Sequence, residues 1–345
     1  MRERMRRLCA PLFFYSLALV HGFAVAGFML GSWPLVIAAD GLDLLALFDA
    51  GVGLALVLRG RPPTRRLGGA LMAVACCCGA LAWGPGILFS PDPRWDQASG
   101  AQKSGVAARV FKTKILQANV EAMGVKAQAL EGLDFDVAMI AEWQPGDDQT
   151  WAHARGLSLV SFDPKHGDAA LFSRWPATEE GCMADATGFC HAQWAVLNTP
   201  AGPLRVVAVH TRSPHKGWRA RARDEFLGHL ASTVQAWPET EPVVAAGDFN
   251  STWATRSMRA FAAHGSWNGA ERRNPTWPTF AARWGAGFRI DHVLATRGAQ
   301  VMDQRTFDSG YSDHLWTLAE VELPWKGPGQ DGAHAARKDE TDLRH

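Results

Sequence analysis

The chain has 345 residues, too many for one average domain and enough for one large catalytic domain with an appendage. Its formal net charge is only +1, which excludes a global positive field able to hold a nucleic-acid backbone non-specifically. An anionic substrate must be gripped locally, and the fifteen tryptophans are available either to pack a core or to line a cleft.

The chain begins apolar. Leu8 to Leu30 is interrupted only by Ser16 and His21, and Leu67 to Phe89 has no charge at all. Each matches the length of about 20 residues that a helix needs to cross a bilayer core. Between them, Leu42 to Leu58 is shorter and carries Asp43 and Asp49, both costly at mid-membrane. Two basic clusters decide the topology: Arg2, Arg4, Arg6 and Arg7 before the first segment, and Arg59, Arg61, Arg65 and Arg66 after the middle one. Both belong on the cytoplasmic side, whereas the turn holding Asp40 has no Lys or Arg. Residues 1–89 are therefore expected to form about three transmembrane helices in a bacterial-type inner (plasma) membrane, with the remainder outside the cytoplasm. The alternative is a signal peptide cleaved near Ala24-Val25-Ala26, which leaves a hairpin and the same external placement.

Residues 90–108, with Pro91, Pro93, Gly100, Ser104 and Gly105, read as a linker. The folded domain is expected over 109–324, and 325–345 as a disordered tail rich in Gly, Lys, Asp and His. Of six cysteines, only Cys182 and Cys190 fall in the polar part, and no CxxC spacing suggests zinc. They are either a disulfide or two buried thiols, and an external location favours the disulfide.

Within the domain, apolar runs of strand length occur at Ile115–Val120, Val137–Ile140, Ala169–Phe172, Trp194–Leu197, Leu204–Val209, Val243–Ala246, Ile290–Ala295 and Leu315–Val321. Segments of helical character lie at Lys126–Gly132, Trp218–Trp237 and Thr255–His264. The mixture predicts an α/β domain. Polar residues collect at the carboxyl ends of these strands, where α/β folds usually place chemistry: Asn119, Glu142, His210, Asp248 and Asn250, with Asp291, Asp313 and His314 beside the last two.

Phosphoester hydrolysis needs a cation to neutralise charge developing on phosphoryl oxygens, a positioned water, and donors to the oxyanion. A hard ion such as Mg2+ prefers oxygen ligands and is held by one or two carboxylates. Glu142 is the leading ligand, supported by Asn119 and Asp313. His314 suits proton transfer or charge stabilisation at the phosphate, with Asp291 fixing its tautomer, and Asp248 suits orienting or deprotonating the water. Whether His314 or Asp248 is the base stays open.

The ordered set Gln117-Ala118-Asn119-Val120, Ala141-Glu142-Trp143, Val209-His210-Thr211, Gly247-Asp248-Phe249-Asn250, Ile290-Asp291-His292 and Ser312-Asp313-His314 resembles the endonuclease/exonuclease/phosphatase superfamily over roughly Lys112 to Leu323. That superfamily includes deoxyribonuclease I, abasic-site endonucleases, neutral sphingomyelinases and inositol polyphosphate 5-phosphatases. In layout the chain is most similar to membrane-anchored bacterial members, among them a group linked to teicoplanin and vancomycin resistance. The resemblance implies a four-layer α/β sandwich, two packed mixed β-sheets flanked by helices, and Mg2+ or Mn2+ as cofactor. It also implies that Asn250 and His210 hold phosphate oxygens, and that Trp277 borders the cleft. Arg212, Lys216, Arg219, Arg221 and Arg223 follow His210 as either a phosphate-attracting lip or a solvated helix face. His292 reads as structural.

An external, membrane-tethered domain implies a lipid-linked or other membrane-proximal phosphate or pyrophosphate as substrate. The alternatives are an extracytoplasmic nuclease acting on DNA or RNA, and a catalytically inactive membrane scaffold.

Overall fold

The computed structural model describes residues 109–325, apart from 254, 270–273 and 286, together with helical residues at 50, 52–54, 57–58, 66 and 68–73. Among the described residues no helix is long and apolar enough to cross a membrane. The three apolar segments lie largely or wholly outside the described residues, as do the linker and nearly all of the tail. Trp325, assigned from sequence to the tail, belongs to the domain: its N–H donates to the Arg109 carbonyl at 3.0 Å, and the Arg109 guanidinium lies 4.4 Å over its ring.

Eleven strands form two sheets among the described residues. The first contains β1 (Val110–Asn119), β2 (Val137–Ala141), β3 (Ser158–Phe162), β4 (Ala169–Ser173), β10 (Gln300–Phe307) and β11 (Trp316–Pro324), in the order β10-β11-β1-β2-β4-β3. The second contains β5 (Ala177–Ala184), β6 (Cys190–Thr199), β7 (Gly202–His210), β8 (Val243–Asp248) and β9 (Asp291–Thr296), in chain order. Helices α1 (Thr150–His153), α2 (Gly217–Ala236), α3 (Arg256–Gly265) and α4 (Thr279–Ala282) and a 3-10 turn at Ala127–Leu130 complete the domain.

Alternation along the strands builds the layers. Ile115 and Met139 of the first sheet meet Val206, Val244 and Val293 of the second, while Leu116 and Ile140 point the other way, onto Leu130 and Trp151. The outer face of the second sheet, with Val207 and Ala245, is covered by Leu227 and Leu230 of α2 and by Phe261 of α3. Two packed mixed sheets with helical elements on their outer faces result.

Each sheet contains one parallel pair, β1 with β2 and β7 with β8. These pairs finish together. Asn119 and Ala141 are partners at the end of one, with Glu142 next, and His210 and Asp248 at the end of the other, so Asn119, Glu142, His210 and Asp248 converge from two sheets. Gly247 permits this closeness: its φ is 148°, and a Cβ there would fall 1.9 Å from the Val209 carbonyl oxygen.

Candidate active site

Asn119 is the bridge between the sheets. Its Nδ2 donates to Glu142 Oε1 at 3.1 Å and to Asp248 Oδ2 at 3.2 Å, while its Oδ1 accepts from the Glu121 N–H at 2.9 Å. The amide thus presents a donor to the carboxylates, and its oxygen, the atom a metal would need, faces Glu121. Glu142 follows β2 with φ at 61°, a left-handed backbone that costs a non-glycine residue on the order of 1 kcal/mol. That turn aims the carboxylate inward, with Oε1 3.9 Å from His210 Nε2.

His314 and Asp291 form a buried pair, Nδ1 to Oδ2 at 2.8 Å, and Gln117 Nε2 donates to the second Asp291 oxygen at 2.8 Å. Burial alone would raise the Asp291 pKa. The charge of His314 and hydrogen bonds from His314, Thr276 and Gln117 outweigh it and hold the carboxyl below its usual range. For His314, burial pulls the pKa down but is overcome by the charge and hydrogen bond of Asp291, with Asp248 and Asp313 adding to them, and the imidazole is held up at about 10. Its Nε2 is left facing the site, 3.9 Å from Asp248 Oδ2 and 3.7 Å from Asp313 Oδ1.

His210 is held the same way by a residue that the sequence did not single out. Its Nδ1 lies 2.8 Å from Asp168 Oδ1, and its Nε2 lies 4.0 Å from Asp248 Oδ2. Burial again opposes protonation, but Asp168, then Asp248 and Glu142, raise the pKa to about 9. Asp248 sits between the two imidazoles. Burial and the charge of Asp291 push its pKa up to about 6, against the pull of His314 and His210.

Other expected site residues have different partners. The Asn250 Nδ2 donates to Asp248 Oδ2 and the Thr211 carbonyl, at 3.1 and 3.0 Å, which places Asn250 directly against Asp248. Of the arginines expected either at a phosphate-attracting lip or on a solvated helix face, Arg212 donates twice to Asp185 Oδ2, at 3.1 and 2.8 Å, and Arg223 is buried, donating to the Asn250 carbonyl. Trp277 lies at the rim, where its Nε1 donates to Asp313 Oδ2 at 2.7 Å and its ring stacks on Phe288. His292 is buried, with Nε2 2.8 Å from the Ser251 carbonyl, and burial depresses its pKa to about 3. Cys182 and Cys190 are joined by a disulfide, with Cα atoms 5.8 Å apart.

The donor set fits a hard divalent cation. Acidic oxygens of Glu142, Asp168, Asp248, Asp291 and Asp313 outnumber the two imidazoles, the oxygen-rich donor chemistry that such an ion prefers. Ligand atoms of Asp248, Asp291 and His314 lie within 4.8 Å of one another. Asp291 has both oxygens engaged and no solvent exposure, however, which leaves Glu142 as the better ligand.

A model of the endonuclease/exonuclease/phosphatase family matches residues 99–314. An uncharacterized protein of Escherichia coli K12, YbhP, is 31% identical over 104 residues, 30% of this chain, and the match spans only 41% of that protein's length. Two solved structures share the fold. An endonuclease/exonuclease/phosphatase family protein from Bacteroides thetaiotaomicron superposes with a TM-score of 0.51 at 18% identity, covering 62% of this chain and 99% of that one. TDP2 from D. rerio, solved with a single-strand DNA product, gives 0.51 at 14% identity, covering 61% and 99%. At these identities the likeness is one of fold.

Proposed function

The chain belongs to the endonuclease/exonuclease/phosphatase family, and from that premise we propose that it is a divalent-metal-dependent phosphoester hydrolase tethered to a cytoplasmic membrane with its catalytic domain outside. The observation that carries the chemistry is the position of Asp248 Oδ2, 3.9 Å from His314 Nε2 and 4.0 Å from His210 Nε2. One anionic oxygen between two imidazoles that are cationic at neutral pH suits a site where a water loses a proton beside a phosphoryl group gaining charge.

Glu142, with Asp313 in support and Asn119 able to join once its amide is turned to bring Oδ1 inward, would hold Mg2+ or Mn2+, which when bound would neutralise charge on the phosphoryl oxygens. Asp248, with a pKa of about 6, is largely ionised at neutral pH and takes the proton of the attacking water. Asn119 and Asn250 hold that carboxylate by donating to Oδ2, and the Asn250 N–H donates to Oδ1 at 2.7 Å. His314 and His210 donate from Nε2 to phosphoryl oxygens, each oriented through Nδ1 by its own aspartate. The raised pKa values suit His314 and His210 to the donor role and leave Asp248 as the base.

The substrate reading rests on the apolar segments Leu8–Leu30 and Leu67–Phe89 and the arginines flanking them. A domain anchored outside the membrane meets lipid-linked pyrophosphates and phospholipid headgroups before chromosomal DNA, and the layout resembles the membrane-anchored resistance-linked bacterial members. The test is a panel of a polyprenyl pyrophosphate, phospholipids and single- and double-stranded DNA, assayed with Mg2+ and with chelator. Metal-dependent hydrolysis of a lipid phosphate is expected. Efficient DNA cleavage with lipid phosphates untouched would replace this reading by the nuclease one. A reporter fused after Trp325 should be active only outside the cytoplasm.

A further inference from the structure

Large hydrophobic side chains exposed on the catalytic domain are unevenly placed. Val110 and Met302 lie near the end where β1 begins. Met123, Trp218, Phe280, Trp284 and Tyr311 all lie on loops or first turns at the opposite end, where the parallel strands finish and the candidate active site sits. Phe280, in α4, and Trp284, in the turn that follows it, are 74% and 83% exposed.

This platform is fixed to the site. The Thr279 N–H donates to the Asp313 carbonyl at 2.7 Å, Thr279 Oγ1 donates to the Ser312 carbonyl at 3.1 Å, and Arg283 pairs with Asp308 at 2.9 Å. Whatever covers the aromatics therefore lies against the mouth of the site.

Exposed aromatics concentrated on one face are the usual mark of a contact surface, and Trp and Phe are favoured at a membrane–water boundary. The chain itself supplies the membrane. Its tether enters at Arg109, at the far end of β1, a strand about 33 Å long, while residues 90–108 reach about 65 Å when fully extended. The tether is long enough to let the domain turn its site end onto the bilayer that holds it. Charge argues against a polynucleotide on this rim: Arg283 is neutralised by Asp308, and the Glu121 carboxylate, accepting from the Asp313 N–H, adds negative charge beside it.

We propose that the end of the domain bearing Phe280, Trp284, Tyr311 and Met123 docks on the lipid bilayer, so that the site takes its phosphoester from the membrane plane. The proposal rests on the membrane-tethered reading above. Its test uses the full chain in phosphatidylcholine vesicles, with a benzophenone amino acid at position 284 or, as control, at position 302. Photolysis should give lipid adducts from position 284 and about tenfold fewer from 302. A Phe280→Ser, Trp284→Ser double variant should hydrolyse a bilayer-embedded phosphoester about tenfold or more slowly, as expected for losing two buried aromatic contacts. Its rate on soluble bis(p-nitrophenyl) phosphate should be unchanged, which also reports that it is folded. Equal labelling from both positions, or loss of single-stranded DNA cleavage in place of the bilayer effect, overturns the proposal. If the wild type labels at 284 yet hydrolyses no phosphoester, the docking surface stands and the hydrolase reading fails.

Discussion

His314 Nδ1 lies 2.8 Å from Asp291 Oδ2, and the carboxylate is wholly buried. The contact holds the imidazole with Nε2 toward the site and keeps it protonated to about pH 10. Asp291→Asn removes the charge that raises this pKa, so His314 should lose its proton at lower pH. The alkaline limb of kcat/KM should then move down in pH, and kcat should fall by about 10²–10⁴-fold. His314→Ala should fall as far but show no such limb. An unshifted limb in Asp291→Asn would exclude His314 as the imidazolium that matters.

Glu142 is held inward by its left-handed backbone and by the Asn119 amide. Glu142→Gln keeps the shape and loses the charge. It should bind Mg2+ at least about tenfold more weakly by calorimetry and reduce turnover by orders of magnitude, with far-UV circular dichroism unchanged. Wild-type activity that survives exhaustive chelation would remove the cation from the mechanism.

The strands legible in the sequence are mostly those with neighbours on both sides. Runs such as Val243–Ala246 and Leu204–Val209 are apolar because both faces are covered. The strands with no sequence signal, β3, β5 and β10, are all at sheet edges. β5, Ala177–Ala184, contains two adjacent glutamates and one fully buried position, so no apolar run marks it. The same holds at the site. Asn119, Glu142, His210 and Asp248 could be picked out because each closes a legible strand. Asp168 could not: it precedes β4, and only the pairing of Ala141 with Ala169 brings it beside the end of β2, from where it reaches His210. Arg212 could be read from its neighbours as part of a phosphate-attracting lip or of a solvated helix face, and its pairing with Asp185, on the hairpin between β5 and β6, joins segments too distant in the chain for a local pattern to reveal.

His292 offers a test of stability against pH. Its folded pKa of about 3 lies far below the ordinary 6.5 expected in the unfolded chain. Between those values the unfolded state binds the extra proton, so this contribution is complete well above pH 6.5 and is lost as pH falls, by roughly 2 kcal/mol down to pH 5. His292→Gln can still donate to the Ser251 carbonyl but cannot titrate. Its denaturation midpoint should decline less than the wild type's between pH 7 and pH 5. Parallel declines would show that His292 does not carry the effect.

The disulfide between Cys182 and Cys190 closes a short hairpin loop, and the loop's contents tie it to the site. Asp185, inside it, bonds the N–H groups of Thr187 and Phe189, the Arg212 guanidinium and His191 Nε2, and His191 Nδ1 in turn meets the His210 carbonyl at 3.0 Å. Opening the loop should therefore have two separable effects. Loss of the crosslink in Cys182→Ser should cost about 2–3 kcal/mol of stability, read as a lowered Tm. Loss of support beneath His210 should lower kcat, and Asp185→Asn, with the disulfide intact, should reproduce that part with a smaller change in Tm. Because both variants act through the same backbone contact, the double variant should lower kcat by less than the product of the single effects. Full kcat in Asp185→Asn would restrict the hairpin to a purely structural role.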